Sequence, residues 1–218
     1  MILVNFKIYK ETFGEGAMRL AEVCKRVMEK TKVVIIPVVS ALDVYRIKKE
    51  LGIMVYIQAV SEYEDGAKTG SISAKAAKEA GADGALINHS ELRVKPGTIK
   101  KMLCNWPEGF ESVVCLQTLK QAEGWAKNIK PTMIAYEPKY LIGNREKSVA
   151  TEKPEIIKKM AEKYGVIPVL AGAGVHSRED VLVALKMGAR GILVATDVVK
   201  ADDQEKELSE LANGFIMV

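Results

Sequence analysis

The stretch "ILVNFKIYKE", residues Ile2 to Glu11, decides between two folds. It opens as a short, almost continuously apolar run, as expected of a parallel strand covered on both faces. In an open doubly wound sheet such a first strand leads into a glycine-rich phosphate fingerprint. Here it leads into Lys7, Ile8 and Tyr9, with no G-x-G-x-x-G. The competing arrangement for repeated strands and helices is a closed (β/α)8 barrel, where a charged residue at a strand exit lies on the functional face.

The rest of the chain repeats this opening. Apolar runs recur at Val33 to Val38, Ile53 to Gln58, Gly84 to Asn88, Ser112 to Leu116, Met133 to Glu137, Ile167 to Gly172 and Gly191 to Ala195, which with the first makes eight. Helix-like segments such as "EGAMRLAEVCKRVMEK" and "KPEIIKKMAEKYG" separate them, the second with Pro154 suited to a first turn and Gly165 to a stop. One strand-plus-helix unit takes about 27 residues, enough for a compact βα unit, and no Pro/Gly/Ser-rich linker divides the series. Residues 1–218 therefore read as a single-domain (β/α)8 barrel of eight parallel strands.

Composition excludes several classes. The 218 residues are 48% hydrophobic and 28% charged, a globular balance. The formal charge of +4 is spread along the chain without basic blocks or interleaved aromatics, which argues against nucleic acid as a partner. No apolar run approaches a membrane span of about 20 residues, and no basic segment precedes the first apolar stretch, so a cytoplasmic protein without membrane contact is expected. Cys24, Cys104 and Cys115 form no C-x-x-C, and His89 and His176 form no H-x-x-x-H; neither a disulfide framework nor a metal site is signalled.

At the strand exits stand Asn5 and Lys7, then His89, then Glu137, followed by glycine-bearing turns after the seventh and eighth runs. Taken singly, Lys7 reads as a surface charge, His89 as a core histidine, Glu137 as a loop cap, and Gly172 and Gly174 as turn formers. Together they form a set: a carboxylate base takes a proton beside a carbonyl while an imidazole and an ammonium stabilise the enediolate oxygen. "AGAG", Ala171 to Gly174, brings backbone N–H groups close to an anion, and "HSREDVLVAL" starts a helix whose positive end faces the same place. A phosphorylated hydroxy-carbonyl compound fits this chemistry.

In this order "NFK", "INHSE", "AYEPKYLIG", "GAGV" and "GILVA" with "VVKA" resemble the triosephosphate isomerase family over essentially the whole chain, with the compact length of its archaeal branch. The resemblance implies interconversion of dihydroxyacetone phosphate and glyceraldehyde 3-phosphate through an enediol, with no cofactor and no metal. It implies Glu137 as the base and His89 as the neutral electrophile, a division of labour known from that family. Lys7 and Asn5 are then substrate-polarising groups, Glu91 supports the lysine, and Ser90 stands beside the histidine. Gly143, on the closing lid, would join the amides near Ala173, Gly174, Ala195 and Thr196 in holding the phosphate. "GAKTGSIS", Gly66 to Ser73, resembles the family's intersubunit loop, with Thr69 expected to reach a neighbour's site in a homodimer or homotetramer.

Four departures stand against the pattern. After "LIG" the lid reads Asn144 and Arg145 in place of Thr-Gly, removing a hinge glycine. Thr196 and Asp197 replace Ser-Gly, placing a carboxylate where a phosphate dianion is expected. Leu92 follows "HSE" where arginine is usual, and Ala59 follows Gln58 where His or Asn is expected. Two rivals follow: a non-catalytic or weakened phosphate-binding homologue, and another barrel enzyme acting on a phosphorylated substrate, such as an aldolase or a prenyl transferase.

Overall fold

Each apolar run pairs in parallel with its neighbours in sequence, and the last returns to the first. The strands are β1 (Ile2–Asn5), β2 (Ile35–Val39), β3 (Tyr56–Ile57), β4 (Gly84–Ile87), β5 (Glu111–Leu116), β6 (Met133–Tyr136), β7 (Val169–Ala171) and β8 (Gly191–Val194). They close in the order β1 to β8, with Ile2 opposite Ile35 on one side and Ile192 on the other. The computed structural model describes residues 1–125, 129–141 and 148–216.

Side-chain alternation divides the apolar residues of every strand into two sets. Leu3, Ile36, Val38, Tyr56, Leu86, Val113, Cys115, Met133, Ala135, Leu170 and Leu193 form one buried cluster, the filled lumen of the barrel. The intervening residues, among them Ile2, Val4, Ile35, Val114, Ile134 and Ile192, form a second cluster with the surrounding helices. The strands therefore read as continuous apolar runs because both faces are buried.

The strands are shorter than the apolar runs at several ends. β3 covers two residues where the run spans Ile53 to Gln58. The reason is local: the Asp83 carboxylate, not a strand carbonyl, accepts from Val55 N at 2.9 Å. β2 ends one residue later than its run and β7 one residue earlier.

The helices are α1 (Glu15–Thr31), α2 (Ala41–Leu51), α3 (Ala74–Glu79), α4 (Pro96–Cys104), α5 (Leu119–Trp125), α6 (Val149–Glu152), α7 (Pro154–Tyr164), α8 (Arg178–Lys186), α9 (Thr196–Val199) and α10 (Gln204–Ile216). Pro154 opens α7 and Gly165 closes it at φ +55°, as the sequence predicts. Ser40 caps α2 and Ser177 caps α8, the latter in a reciprocal box with Asp180. These caps fix where helices begin directly above the strand ends, and so fix the loops of the mouth.

Candidate active site

The alternation that fills the lumen also selects the groups at its C-terminal opening. Two residues beyond Leu3, Tyr56, Leu86, Ala135, Leu170 and Leu193 come Asn5, Gln58, Asn88, Glu137, Gly172 and Ala195. Polar and small residues thus take over the inward positions where the apolar packing stops. Barrel hydrogen bonds continue through them: Gln58 N donates to Val39 O at 3.0 Å, Glu137 N to Leu116 O at 2.7 Å and Gly172 N to Tyr136 O at 2.9 Å.

Two non-glycine residues at this rim, Lys7 and Asn88, hold left-handed backbone, with φ of +51° and +62°. Such conformations persist where surrounding bonds fix them. Lys7 N donates to Asn5 Oδ1 at 3.0 Å, and Gln58 Nε2 donates to Lys7 O at 2.7 Å. Asn88 Nδ2 donates to Cys115 O at 2.7 Å, while its Oδ1 accepts from Val94 N at 3.0 Å and its carbonyl from Arg93 at 2.6 Å. The turn at Lys7 re-aims its side chain across the mouth, and the turn at Asn88 presents His89.

The reactive groups converge. His89 Nε2 lies 3.4 Å from Glu137 Oε1 and 3.4 Å from Asn5 Nδ2. Lys7 Nζ pairs with Glu91 Oε1 at 2.9 Å, and Glu91 N donates to His89 Nδ1 at 3.3 Å. An Nδ1 that accepts this bond leaves the ring proton for Nε2, the nitrogen that faces Glu137. Glu137 is 3% exposed, and its Oε2 has no hydrogen-bond partner among the described residues. Buried polar atoms are normally satisfied, so this oxygen is placed to meet a bound molecule in the cleft. The thiol of Cys115 is pushed far up by burial and then by the Glu137 charge, so Cys115 stays an uncharged packing group beneath the base.

Gly172 serves the base directly. A Cβ there would stand 2.6 Å from Glu137 Cγ. Beyond it, Gly174 adopts φ +63°, which turns the chain under the opening. Asn5, Lys7, His89, Glu137, Ala173, Gly174, Ala195 and Thr196 line one cleft. Ala195 and Thr196 begin α9 without a capping side chain, leaving first-turn N–H groups for an anion.

The structure therefore brings together Asn5, Lys7, His89, Glu137, Ala173, Gly174, Ala195 and Thr196, with Glu91 and Ser90 alongside. Ser90 Oγ is buried without a partner among the described residues. Thr69 lies in the exposed β3–α3 loop and does not line this cleft. Gly143, Asn144 and Arg145 lie outside the described residues. Sequence reasoning missed Gln58, although the inward alternation of β3 points to it. It also gave His176 no role, whereas His176 lines the cleft and its Nδ1 meets Asp197 Oδ2 at 3.0 Å. The carboxylate that departs from the expected pattern is thus paired.

A closed parallel eight-stranded barrel with a buried carboxylate, an imidazole and an ammonium at its mouth defines a barrel enzyme of the acid–base type. The profile of the triosephosphate isomerase family matches residues 1–213. The triosephosphate isomerase of Methanothermus fervidus is 38% identical over 216 residues, covering 97% of this chain and 96% of the relative. That of Metallosphaera sedula is 36% identical over 220 residues, covering 99% and 96%. The crystal structure of triosephosphate isomerase from Bartonella henselae, 21% identical, superposes with a TM-score of 0.76 over 99% of this chain and 98% of that one, a likeness of fold. The chain belongs to the triosephosphate isomerase family.

Proposed function

We propose that this chain interconverts dihydroxyacetone phosphate and D-glyceraldehyde 3-phosphate, with Glu137, His89 and Lys7 carrying the chemistry. Glu137 takes a proton from the hydroxymethyl carbon, and the electron pair left behind forms the carbon–carbon double bond of an enediolate. Its oxygen receives a hydrogen bond from the Nε2–H of neutral His89 and charge stabilisation from Lys7. His89 relays a proton between the two oxygens, and Glu137 returns the abstracted proton to the adjacent carbon. Asn5 and Gln58 hold Lys7, while Glu91 holds both Lys7 and His89. The amides at Ala173, Gly174, Ala195 and Thr196, with that of Gly143 on the lid, hold the phosphate. In this reading the enzyme works in glycolysis and gluconeogenesis in the cytoplasm, as a homodimer or homotetramer with Thr69 reaching the neighbouring site. Among the described residues no helix is long and apolar enough to cross a membrane.

The observation that carries the reading is the approach of His89 to Glu137 at 3.4 Å, with the Lys7 ammonium in the same cleft. The test is a coupled assay with glyceraldehyde 3-phosphate on the unmodified chain and on Glu137→Gln. Removal of the base lowers kcat by about 10²- to 10⁴-fold while the thermal transition stays in place. An unmodified chain that binds glycerol 3-phosphate yet turns over no triose phosphate would leave the binding homologue as the correct reading.

A further inference from the structure

Asp197 is the one carboxylate in the first turn of α9, beside Ala195 and Thr196, in a cleft read as a phosphate seat. An anion entering there meets its charge at short range in a partly desolvated site. Among the described residues, His176 is the basic side chain within ion-pair distance of it, Nδ1 to Oδ2 at 3.0 Å. Of the lysines on the same wall, Lys206 makes no ion pair with Asp197, and Lys200 bonds Glu11 and lies over the Tyr9 ring, while Tyr9 in turn bonds Thr196 at 3.0 Å. His176 Nε2 is buried with no hydrogen-bond partner among the described residues, so the ring keeps one nitrogen in reserve.

We propose that His176 and Asp197 act as one phosphate-recognition unit, in which the imidazole takes up a proton as the phosphate dianion enters and so offsets the carboxylate. Neutral imidazole leaves the pair at net −1; imidazolium brings it to zero. A dianion in the cleft favours the second state, and by linkage the second state favours the dianion. His176 is thereby a positioning and specificity residue for the phosphate, not a group in the proton transfer at carbon.

Other charges face the pair. Asp180 of α8 accepts from His176 N at 3.0 Å, and its oxygens are shared with Ser177 and Ser148. From α10, Glu207 feels the negative Asp197 and the positive His176 in opposite directions, after burial has already raised its carboxyl. Lys200, Asp202, Asp203 and Lys206 line the outer wall. In the cleft itself stand Lys7, His89 and Glu137. Of all these, His176 is the group in direct contact with Asp197 whose side-chain type changes charge between pH 5 and 8.

The inference rests on the proposed function, and glycerol 3-phosphate separates the two because it carries no carbonyl and reports on the phosphate seat alone. Its binding is measured by titration calorimetry at pH 6 to 8.5, in two buffers of different ionisation enthalpy, for the unmodified chain, His176→Gln, Asp197→Asn and the double variant. His176→Gln is expected to weaken binding by roughly three- to thirtyfold and to raise KM for glyceraldehyde 3-phosphate similarly, with kcat within about twofold. Asp197→Asn in that background restores binding. The ligand's own phosphate titrates near pH 6 in every variant, so the extra proton uptake of the unmodified chain over His176→Gln isolates the histidine. Binding by His176→Gln within twofold of the unmodified chain across this range overturns the proposal. So does a weakening that Asp197→Asn does not reverse, or equal proton uptake in the two. If His176→Gln does not fold, Asp197→Asn alone decides: with the carboxylate gone, glycerol 3-phosphate must bind more tightly at pH 8.5, and unchanged affinity there overturns the proposal.

Discussion

At the scale of single residues, the mouth is organised by a few bonds that fix charge and tautomer. Glu91 is the hinge of this set: its carboxylate holds Lys7 at 2.9 Å and its amide holds His89 Nδ1 at 3.3 Å. Lys7→Met removes the ammonium that meets the enediolate oxygen, and is expected to lower kcat/KM by about 10²-fold or more, within the range for loss of one transition-state charge contact. Steady-state kinetics on a variant with unchanged circular dichroism checks this; a loss below threefold would leave Lys7 without a role. The cysteines give a second test. Burial pushes the Cys24 thiol up to about 12 and raises that of Cys115 as well, while Cys104 is exposed. A thiol reagent is therefore expected to titrate no more than one cysteine in the native protein and three after denaturation, since only the thiolate reacts. Asn5, Lys7, His89 and Glu137 were legible in the sequence because each ends a β-branched run. The pairing of Asp197 with His176 was not, since one opens α9, the other precedes α8, and no spacing rule links them.

At the scale of elements, strand alternation does most of the positioning. Its period of two carries the inward direction from Ala135 to Glu137 and from Leu170 to Gly172, so base and space for the base come from adjacent strands. Gly172→Ala puts a methyl group 2.6 Å from Glu137 Cγ and must displace the carboxylate. A misplacement of about 1 Å costs on the order of 10²-fold in rate. The expected signature is a fall in kcat of roughly 10- to 100-fold with KM changed much less. An unchanged kcat would show that Glu137 has another productive rotamer. The α8 cap couples the same loop to the start of α6: Asp180 takes bonds from His176 N, Ser177 and Ser148 while 7% exposed. Asp180→Ala leaves these donors unmet and is expected to cost about 2–4 kcal/mol in a denaturant titration. The strand ends themselves were the least legible feature. Hydrophobic runs extend past the paired segments, and at β3 the side chain of Asp83 supplies the bond that the apolar pattern assigns to a strand.

At the scale of the whole molecule, the closure of eight runs was legible because their continuous apolarity demands cover on both faces, and the lumen and the helical layer supply it. Exposed apolar side chains occur in several places, Val166 at 96% among them, and one group lies on the mouth side of the first three βα units. Ile8 and Phe13 follow β1, Leu42 and Tyr45 stand at the start of α2, and Tyr63 follows β3; all are exposed, Leu42 at 90% and Ile8 at 76%. Scattered exposed apolar side chains are ordinary, but these lie on consecutive segments around one sector of the rim, next to Lys7 and the loop that carries Thr69. We propose that a second copy of the chain seats on this sector, burying them and bringing Thr69 toward its site. Sedimentation is therefore expected to show a dimer or tetramer at micromolar concentration. Ile8→Glu with Tyr45→Glu places two charges in the contact and shifts the chain to a monomer, because unpaired buried charge is costly. The monomer is expected to lose kcat as well as thermal stability, since the loop turning at Lys7 would lose its support. A monomeric unmodified chain with full activity would show that the β1 loop is held by the barrel alone, through Gln58 to Lys7 O at 2.7 Å and Asn5 to Lys7 N at 3.0 Å.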